Sequence, residues 1–341
     1  MAPVIKCLVW DLDDTVWDGV LLEGGAKALL PGVRETLAAL DKRGILHSIA
    51  SRNDHAEAMA RLESFALADY FLYPQISFGA KSNAVDTIAK SLNIGLDTLA
   101  FIDDQPFERE EVQSELPLVR VYPADEAATL PSLPEFMPRF VNADSAQRRS
   151  LYMADIQRNA VEERFDGPRE SFLQSLNMLF TIGPVEDGDL ERAVDLTERT
   201  NQLNATGLTF DHDEIAALRH NPAFLLHISS LSDKYGSYGR IGLSLVEKGE
   251  EFWTIKLLLM SCRVMSRGVG TVMLYHLIRE AAADGKKLRA DFVETSRNRM
   301  MYVTYKFAGF EEIASQGNLL TLEYQAEQLP SFPTYLEITI I

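Results

Sequence analysis

A chain of 341 residues, 46% hydrophobic and 24% charged, has the composition of a soluble globular protein and the length for two ordinary domains. With 33 basic against 50 acidic side chains its net charge is −17, which argues against nucleic acid or an anionic membrane as partner. Two cysteines, Cys7 and Cys262, cannot form a disulfide framework; no apolar span reaches membrane length and no signal-like N-terminus is present, so a cytoplasmic location is expected.

Val4 to Trp10 reads as a short strand buried on both faces. A Gly-rich loop, 19–25, leads to PGVRETLAALDKRG, where Pro31 suits the first helical turn, Val33, Leu37 and Leu40 share one face, and Gly44 is the stop. Ile45 to Ala50 is a second strand ending at Ser51, with a helix over Ala56 to Phe65. A strand and turn follow in DYFLYPQISFG, then a helix over Ala84 to Leu92, a strand over Leu99 to Ile102 and a fifth in LVRVYP. This alternation predicts an α/β fold with a parallel sheet wrapped by helices. The intervals between Asp11 and Ser51 and between Ser51 and Lys81 leave no room for a large inserted cap.

Residues 144–179 turn helical and carry too many large apolar side chains for a flexible linker. Then come a strand in LFTIGPV, a helix from Leu190, strands in FLLHISS, RIGLSLVE and FWTIKLLLMS, a helix in TVMLYHLIREAAADG, a strand in LRADFVE, a helix in NRMMYVTYKFAGF and a strand in LLTLEY. The pattern is that of an α+β domain. The division expected is 1–143 for the first domain, 144–179 for a helical connector, 180–326 for the second domain and 327–341 for an apolar tail able to dock on a surface.

The first strand runs directly into Asp11, Asp13, Asp14 and Thr15. Clustered carboxylates at the C-terminal edge of a parallel sheet repel one another unless a cation lies between them, and all-oxygen ligation favours Mg²⁺. The alternative is a turn or a helix cap, where Asp is common. The spacing DxDDT resembles the first motif of the haloacid dehalogenase (HAD) superfamily. Ser51 at a strand end resembles the second motif, Lys81 in FGAKSN the third, and the Asp103–Asp104 pair in LAFIDD the fourth. That resemblance implies a HAD-like Rossmannoid domain without a large cap, with Asp11 as nucleophile towards phosphorus and Asp13 as general acid and base. It further implies Mg²⁺ held by Asp11, the Asp13 main-chain carbonyl, Asp103 and Asp104, and phosphoryl oxygens held by Ser51, Asn53 and Lys81, with Arg52 a further candidate.

In the second half, LLLMSCRVMSRGVGTVML runs a strand through Arg267, Gly268, Val269 and Gly270 into a helix, where backbone N–H groups at the helix start suit a phosphate. The order of elements resembles the Gcn5-related N-acetyltransferase (GNAT) fold, although Met265 stands where that family's turn carries Gln or Arg. Cys262 ends the strand with Arg263 beside it and Arg267 close in sequence, cations that favour a thiolate; the alternative is a small buried hydrophobe, which is also the reading of Cys7. DLDDT, IDD, RTNQLNATG, SCRVMSRGV and YKFAGF taken together resemble the FkbH-like glyceryltransferase/phosphatase family over nearly the whole chain. The resemblance implies that D-1,3-bisphosphoglycerate is the substrate, that a glyceryl thioester forms on Cys262, and that glyceryl passes to the phosphopantetheine thiol of an acyl carrier protein in polyketide or tetronate assembly. Substrate or pantetheine contacts are then expected from Asn201, Gln202, Arg263, Arg267, Gly268, Gly270 and Asn298, with Thr200, Asn204 and Tyr302 nearby. His227, His276 and Asp233 are candidate partners of Cys262, the histidines also fitting a core role. Lys286, Lys287, Arg289, Arg297 and Arg299 are candidates for steering an acidic carrier. The competing reading is a phosphatase fused to an acetyl-CoA-dependent N-acetyltransferase.

Overall fold

A computed structural model describes residues 4–200 and 202–341; Asn201, one of the expected substrate contacts, lies outside the described residues. The chain divides after Met153 into two compact units.

In the first unit, β1 (Cys7–Trp10) is buried at every residue. A strand with no solvent-facing side needs partners on both edges and cover on both faces. It obtains both: β2 (Leu46–Ser51) and β4 (Leu99–Asp103) flank it in parallel, with Cys7 facing Leu46 on one side and Leu99 on the other. With β3 (Gln75–Ile76) and β5 (Arg120–Pro123) the order is β3-β2-β1-β4-β5, a five-stranded parallel sheet. The expected α/β architecture is present. Because β1 is central, Asp11 just past it, Ser51 at the end of β2 and Asp103 at the end of β4 lie on neighbouring strands at one edge of the sheet.

The helices are α1 (Val33–Lys42), α2 (His55–Ser64), α3 (Lys81–Leu92) and α4 (Pro106–Glu115). α1 starts two residues later than Pro31 suggests, because Gly32, at φ 83°, forms its N-cap. α4 escapes the sequence pattern: PFEREEVQSE turns only Glu108 and Val112 inward, too few apolar positions to show a helical period.

Three helices follow, α5 (Ala143–Ala146), α6 (Arg148–Glu163) and α7 (Arg169–Ser175). The stretch expected as a connector is divided between the units, the boundary falling inside α6. The later half of α6 is fastened within the second unit by Arg158, fully buried. Its guanidinium grips both oxygens of Asp233 at 2.8 and 2.9 Å and lies 3.8 Å from the centre of the Tyr238 ring.

The second unit contains β6 (Met178–Pro184), α8 (Leu190–Arg199), α9 (His212–His220), β7 (Phe224–Asp233), β8 (Gly236–Lys248), β9 (Phe252–Met260), α10 (Val269–Ala283), β10 (Lys287–Val293), α11 (Arg299–Phe307), β11 (Phe310–Gln316), β12 (Leu319–Tyr324) and β13 (Leu336–Ile340). Its mixed sheet runs β11-β12-β10-β9-β8-β7-β6-β13. The segment 327–341, expected as a docking tail, supplies β13, which pairs in parallel with β6. β11 is the other strand not expected, since only its first residue, Phe310, is buried. No helix among the described residues is long and apolar enough to cross a membrane.

His47 on β2 is fully buried under α1. Trp10 Nε1 donates to its Nδ1 at 3.1 Å, so its Nε2–H donates to Leu37 O, also at 3.1 Å, and the ring is neutral. Burial depresses its pKa from 6.5 to about 3. The unfolded chain therefore binds a proton that the folded chain refuses, and stability present at neutral pH is lost as pH falls from about 6.5 towards 3. The slope expected from this one ring is about 1.4 kcal/mol per pH unit. Urea titrations of the full chain across that range check it: His47→Leu is expected to flatten the slope for the first unit.

Candidate functional site

The first site is built at the C-terminal edge of the parallel sheet. Asp11, held by its N–H to Ile102 O at 2.9 Å, is 4% exposed, and Asp103 is fully buried. Lys81, first residue of α3, reaches both: its Nζ is 2.8 Å from Asp11 Oδ1 and also bonds Asp103 Oδ2. Thr15 Oγ1 donates to Asp11 Oδ2 at 3.5 Å and accepts from the Asp104 N–H at 3.1 Å, joining the first and fourth motifs. Asp103 Oδ1 accepts from the Gln105 N–H at 2.8 Å. Arg109, on α4, donates to the main-chain carbonyls of Asp103 and Asp104 at 2.7 and 2.9 Å, which fixes the turn.

The charge in this site does not balance. Burial pushes the Asp11 carboxyl up to about 7; Lys81 pulls it down and Asp103 adds to the rise. Burial opposes the Lys81 ammonium, but Asp11 and Asp103 outweigh it and raise its pKa. Asp104 is raised by burial and by Asp103. One ammonium thus faces three carboxylates. Asp11, Asp103 and Asp104 each present an oxygen, all within 4.8 Å of one another, and a hard divalent cation such as Mg²⁺ suits both the oxygen donors and the surplus charge. The residues present fit that ion.

The Asp13 side chain is held apart from this cluster. Trp17 Nε1 and the Leu21 N–H donate to its Oδ1 at 2.8 and 3.1 Å, and Asn53 Nδ2 donates to its Oδ2 at 3.0 Å. Three donors from three directions fix one carboxylate orientation. Asn53 also reaches Ser51 Oγ at 3.4 Å, so its amide positions Asp13, while its buried Oδ1 has no partner. Arg52 is engaged elsewhere, with Glu108 at 3.0 Å and Gly79 O at 3.2 Å. Trp17, Thr15 and Arg109 were not among the expected site residues. Trp17 lies four residues beyond Asp13, a spacing that offers its indole N–H, but it reads as core.

In the second unit Cys262, half-buried, opens a short 3₁₀ turn, Cys262–Val264, directly after β9. Cys7 is fully buried, and burial pushes its thiol up. Gln202 is half-buried and Arg263 lies close enough to Asp155 to lower that carboxyl's pKa against a larger rise from burial.

Several expected ligand contacts turn out to be internal ties. Arg267 is buried, paired with Glu162 at 2.8 Å and packed over Phe172. Asn298, also buried, donates to Val293 O at 2.8 Å and Asn204 O at 3.1 Å and accepts from the Thr295 N–H at 3.0 Å. Asn204 Oδ1 accepts from the N–H groups of Thr206 and Gly207 at 3.2 and 2.9 Å. Neighbouring side chains pack closely on Gly268 and Gly270. A Cβ on Gly268 would lie 2.2 Å from Tyr335 Oη, and one on Gly270 2.3 Å from Met260 Cε. His227 and His276 bond each other at 3.1 Å, both driven below 6.5 by burial, His227 to about 4. Asp233 is held by Arg158, and Tyr238 Oη donates to it at 2.9 Å. Of the basic run, Lys287 and Arg289 share Glu323 at 3.2 and 2.7 Å.

No protein-family model matches the chain, and no curated protein matches it. Among solved structures, 39% of the chain is similar, at 29% identity and a TM-score of 0.34, to the N-terminal part of the protein BF1531 from Bacteroides fragilis, which contains a phosphatase domain complexed with Mg; the match spans 40% of that structure's length. The chain is also similar, over 45% of its length, to the ribosomal-protein-S18-alanine N-acetyltransferase from Escherichia coli, at 16% identity, a TM-score of 0.34 and 99% of that chain. The GNAT domain of S. lividans PAT is matched at 15% identity over 42% of this chain and 88% of its own, with a TM-score of 0.35.

Removing the cation from the carboxylate cluster leaves two buried charges unpaired. Lys81→Met is expected to destabilise the chain by about 3–5 kcal/mol in a metal-free buffer. Mg²⁺ is expected to raise the melting temperature of the wild type, and Asp103→Asn to abolish that rise. Calorimetric scans with and without Mg²⁺ read both.

Proposed function

We propose that the chain joins a Mg²⁺-dependent phosphatase site to a cysteine-dependent acyl transfer site. In the finer reading it takes D-1,3-bisphosphoglycerate, carries glyceryl on Cys262 and delivers it to the phosphopantetheine thiol of an acyl carrier protein in polyketide or tetronate assembly. The observation that carries the first half is the Lys81 ammonium lodged between the buried carboxylates of Asp11 and Asp103, with Asp13 separately oriented beside them.

In the phosphatase step Asp11 attacks phosphorus, the bond from phosphorus to the ester oxygen breaks, and Asp13 gives that oxygen its proton. Asp13 then takes a proton from the water that attacks the aspartyl phosphate, releasing inorganic phosphate and restoring Asp11. Mg²⁺ held by Asp11, Asp103, Asp104 and the Asp13 main-chain carbonyl would offset the charge of the phosphoryl oxygens. Lys81 contributes to the same end through its hold on Asp11. Trp17 and Asn53 keep Asp13 on the side where the proton is exchanged.

In the transfer step the Cys262 thiolate attacks the acyl carbon of an acyl phosphate. The carbon–sulfur bond forms as the carbon–oxygen bond breaks, and phosphate departs with the electron pair. The carrier thiolate then attacks the thioester carbon and Cys262 leaves as thiolate. Acyl phosphate to thioester to thioester runs without ATP.

Intact-protein mass spectrometry after incubation with D-1,3-bisphosphoglycerate and Mg²⁺ tests the reading. A glyceryl adduct is expected on the wild type, none on Cys262→Ala, and a heavier phosphoglyceryl adduct on Asp11→Asn. An adduct that survives Cys262→Ala overturns the transfer half. Phosphate release measured separately is expected to fall about 10²–10⁴-fold in Asp13→Asn; retention of full activity overturns the phosphatase half.

A further inference from the structure

The paired register of β9 and β10 runs from Phe252 and Lys287 to Ile255 and Ala290, yet β9 continues to Met260 and β10 to Val293. Two diverging parallel strands expose facing N–H and C=O groups, a slot that an extended chain with its own amides can enter as an added strand. A pantetheine arm, with two amides, is such a chain. Here the slot is filled from within. The Ala205 N–H donates to Leu258 O at 3.0 Å, and Leu203 O accepts from the Met260 N–H at 2.9 Å. On the other side Ala205 O accepts from the Val293 N–H at 2.9 Å. Thr206 Oγ1 adds a bond to Lys256 O at 3.0 Å, and the Asn298 amide ties Asn204 O back at 3.1 Å. Leu203, Asn204 and Ala205 are all buried.

At the start of α10, Tyr335 packs on Gly268 and Met260 on Gly270.

We propose that Leu203–Ala205 is a specificity-determining segment: it occupies the strand slot, so that no pantetheine arm, of coenzyme A or of a carrier, adds to the sheet there as a strand, which removes the backbone partners coenzyme A would need for binding and leaves the Cys262 thiol as the acyl carrier of the second unit. The last clause rests on the transfer reading above, whereas the exclusion stands on the hydrogen bonds alone. The segment replaces the arm bond for bond, so an incoming arm gains no backbone partner that is not already satisfied.

The full-length chain is titrated calorimetrically with coenzyme A and with acetyl-CoA, and amide hydrogen exchange is followed with and without coenzyme A in excess. The expected result is no saturable binding, with the amides of Ala205, Met260 and Val293 among the slowest in the second unit and unchanged by coenzyme A. Saturable binding of either compound overturns the exclusion, and so does fast exchange at those three amides. The transfer reading fails separately: a chain that binds no coenzyme A but forms no adduct on Cys262 keeps the exclusion and loses the covalent carrier. One that forms the adduct and also binds coenzyme A loses the exclusion alone.

Discussion

The Lys81 ammonium between Asp11 and Asp103 is the constraint around which the first unit is arranged. Lys81 is the first residue of α3, the end of a helix where the macrodipole disfavours a cation. The two carboxylates hold it there, with the Phe101 ring 5.8 Å from the ammonium. They in turn are out of water and depend on it, since a buried carboxylate without a partner is costly. The surrounding hydrogen bonds follow from that dependence. Thr15 spans Asp11 and the Asp104 backbone, the Gln105 N–H meets the second oxygen of Asp103, and Arg109 clamps the carbonyls of the same turn. The result is a cluster that stays negative after every protein group has been counted, the electrostatic condition under which a divalent cation binds.

The second unit is organised differently. Its polar side chains are engaged with one another and with the backbone: Arg158 with Asp233, Arg267 with Glu162, Asn298 with the backbone of 204 and 293. These ties hold strands and loops in register around a half-buried Cys262 just past the end of β9.

Much of the first site was legible in the sequence because a buried strand that stops at a carboxylate gives an abrupt signal, and three such strand ends occur in order. Lys81 lacked that signal, and its place in the motif series identified it. α4 was not legible, because its inward residues are too few to carry a period. Nor was the role of Trp17, whose indole N–H on Asp13 cannot be told from core packing without coordinates. The packing at the glycines 268 and 270 was not legible for a physical reason. A strand-to-helix turn needs them equally to approach a phosphate or to admit a neighbouring side chain, and the neighbour, Tyr335, lies far along the chain. Asn204 and Asn298 are similar: polar residues close to a candidate nucleophile suggest a ligand, and their hydrogen bonds to the backbone of 204–207 and 293 could not be read from the sequence.

The central place of β1 also has a bearing on how the molecule comes to be assembled. Within the five-stranded sheet the strand that comes first along the chain sits in the middle, and its second flank is completed only when Leu99 arrives opposite Cys7. Such long-separated parallel pairing forms slowly. Until then the strand has one edge open and the carboxylate cluster lacks Asp103, so closure of the sheet and completion of the cluster become a single late event.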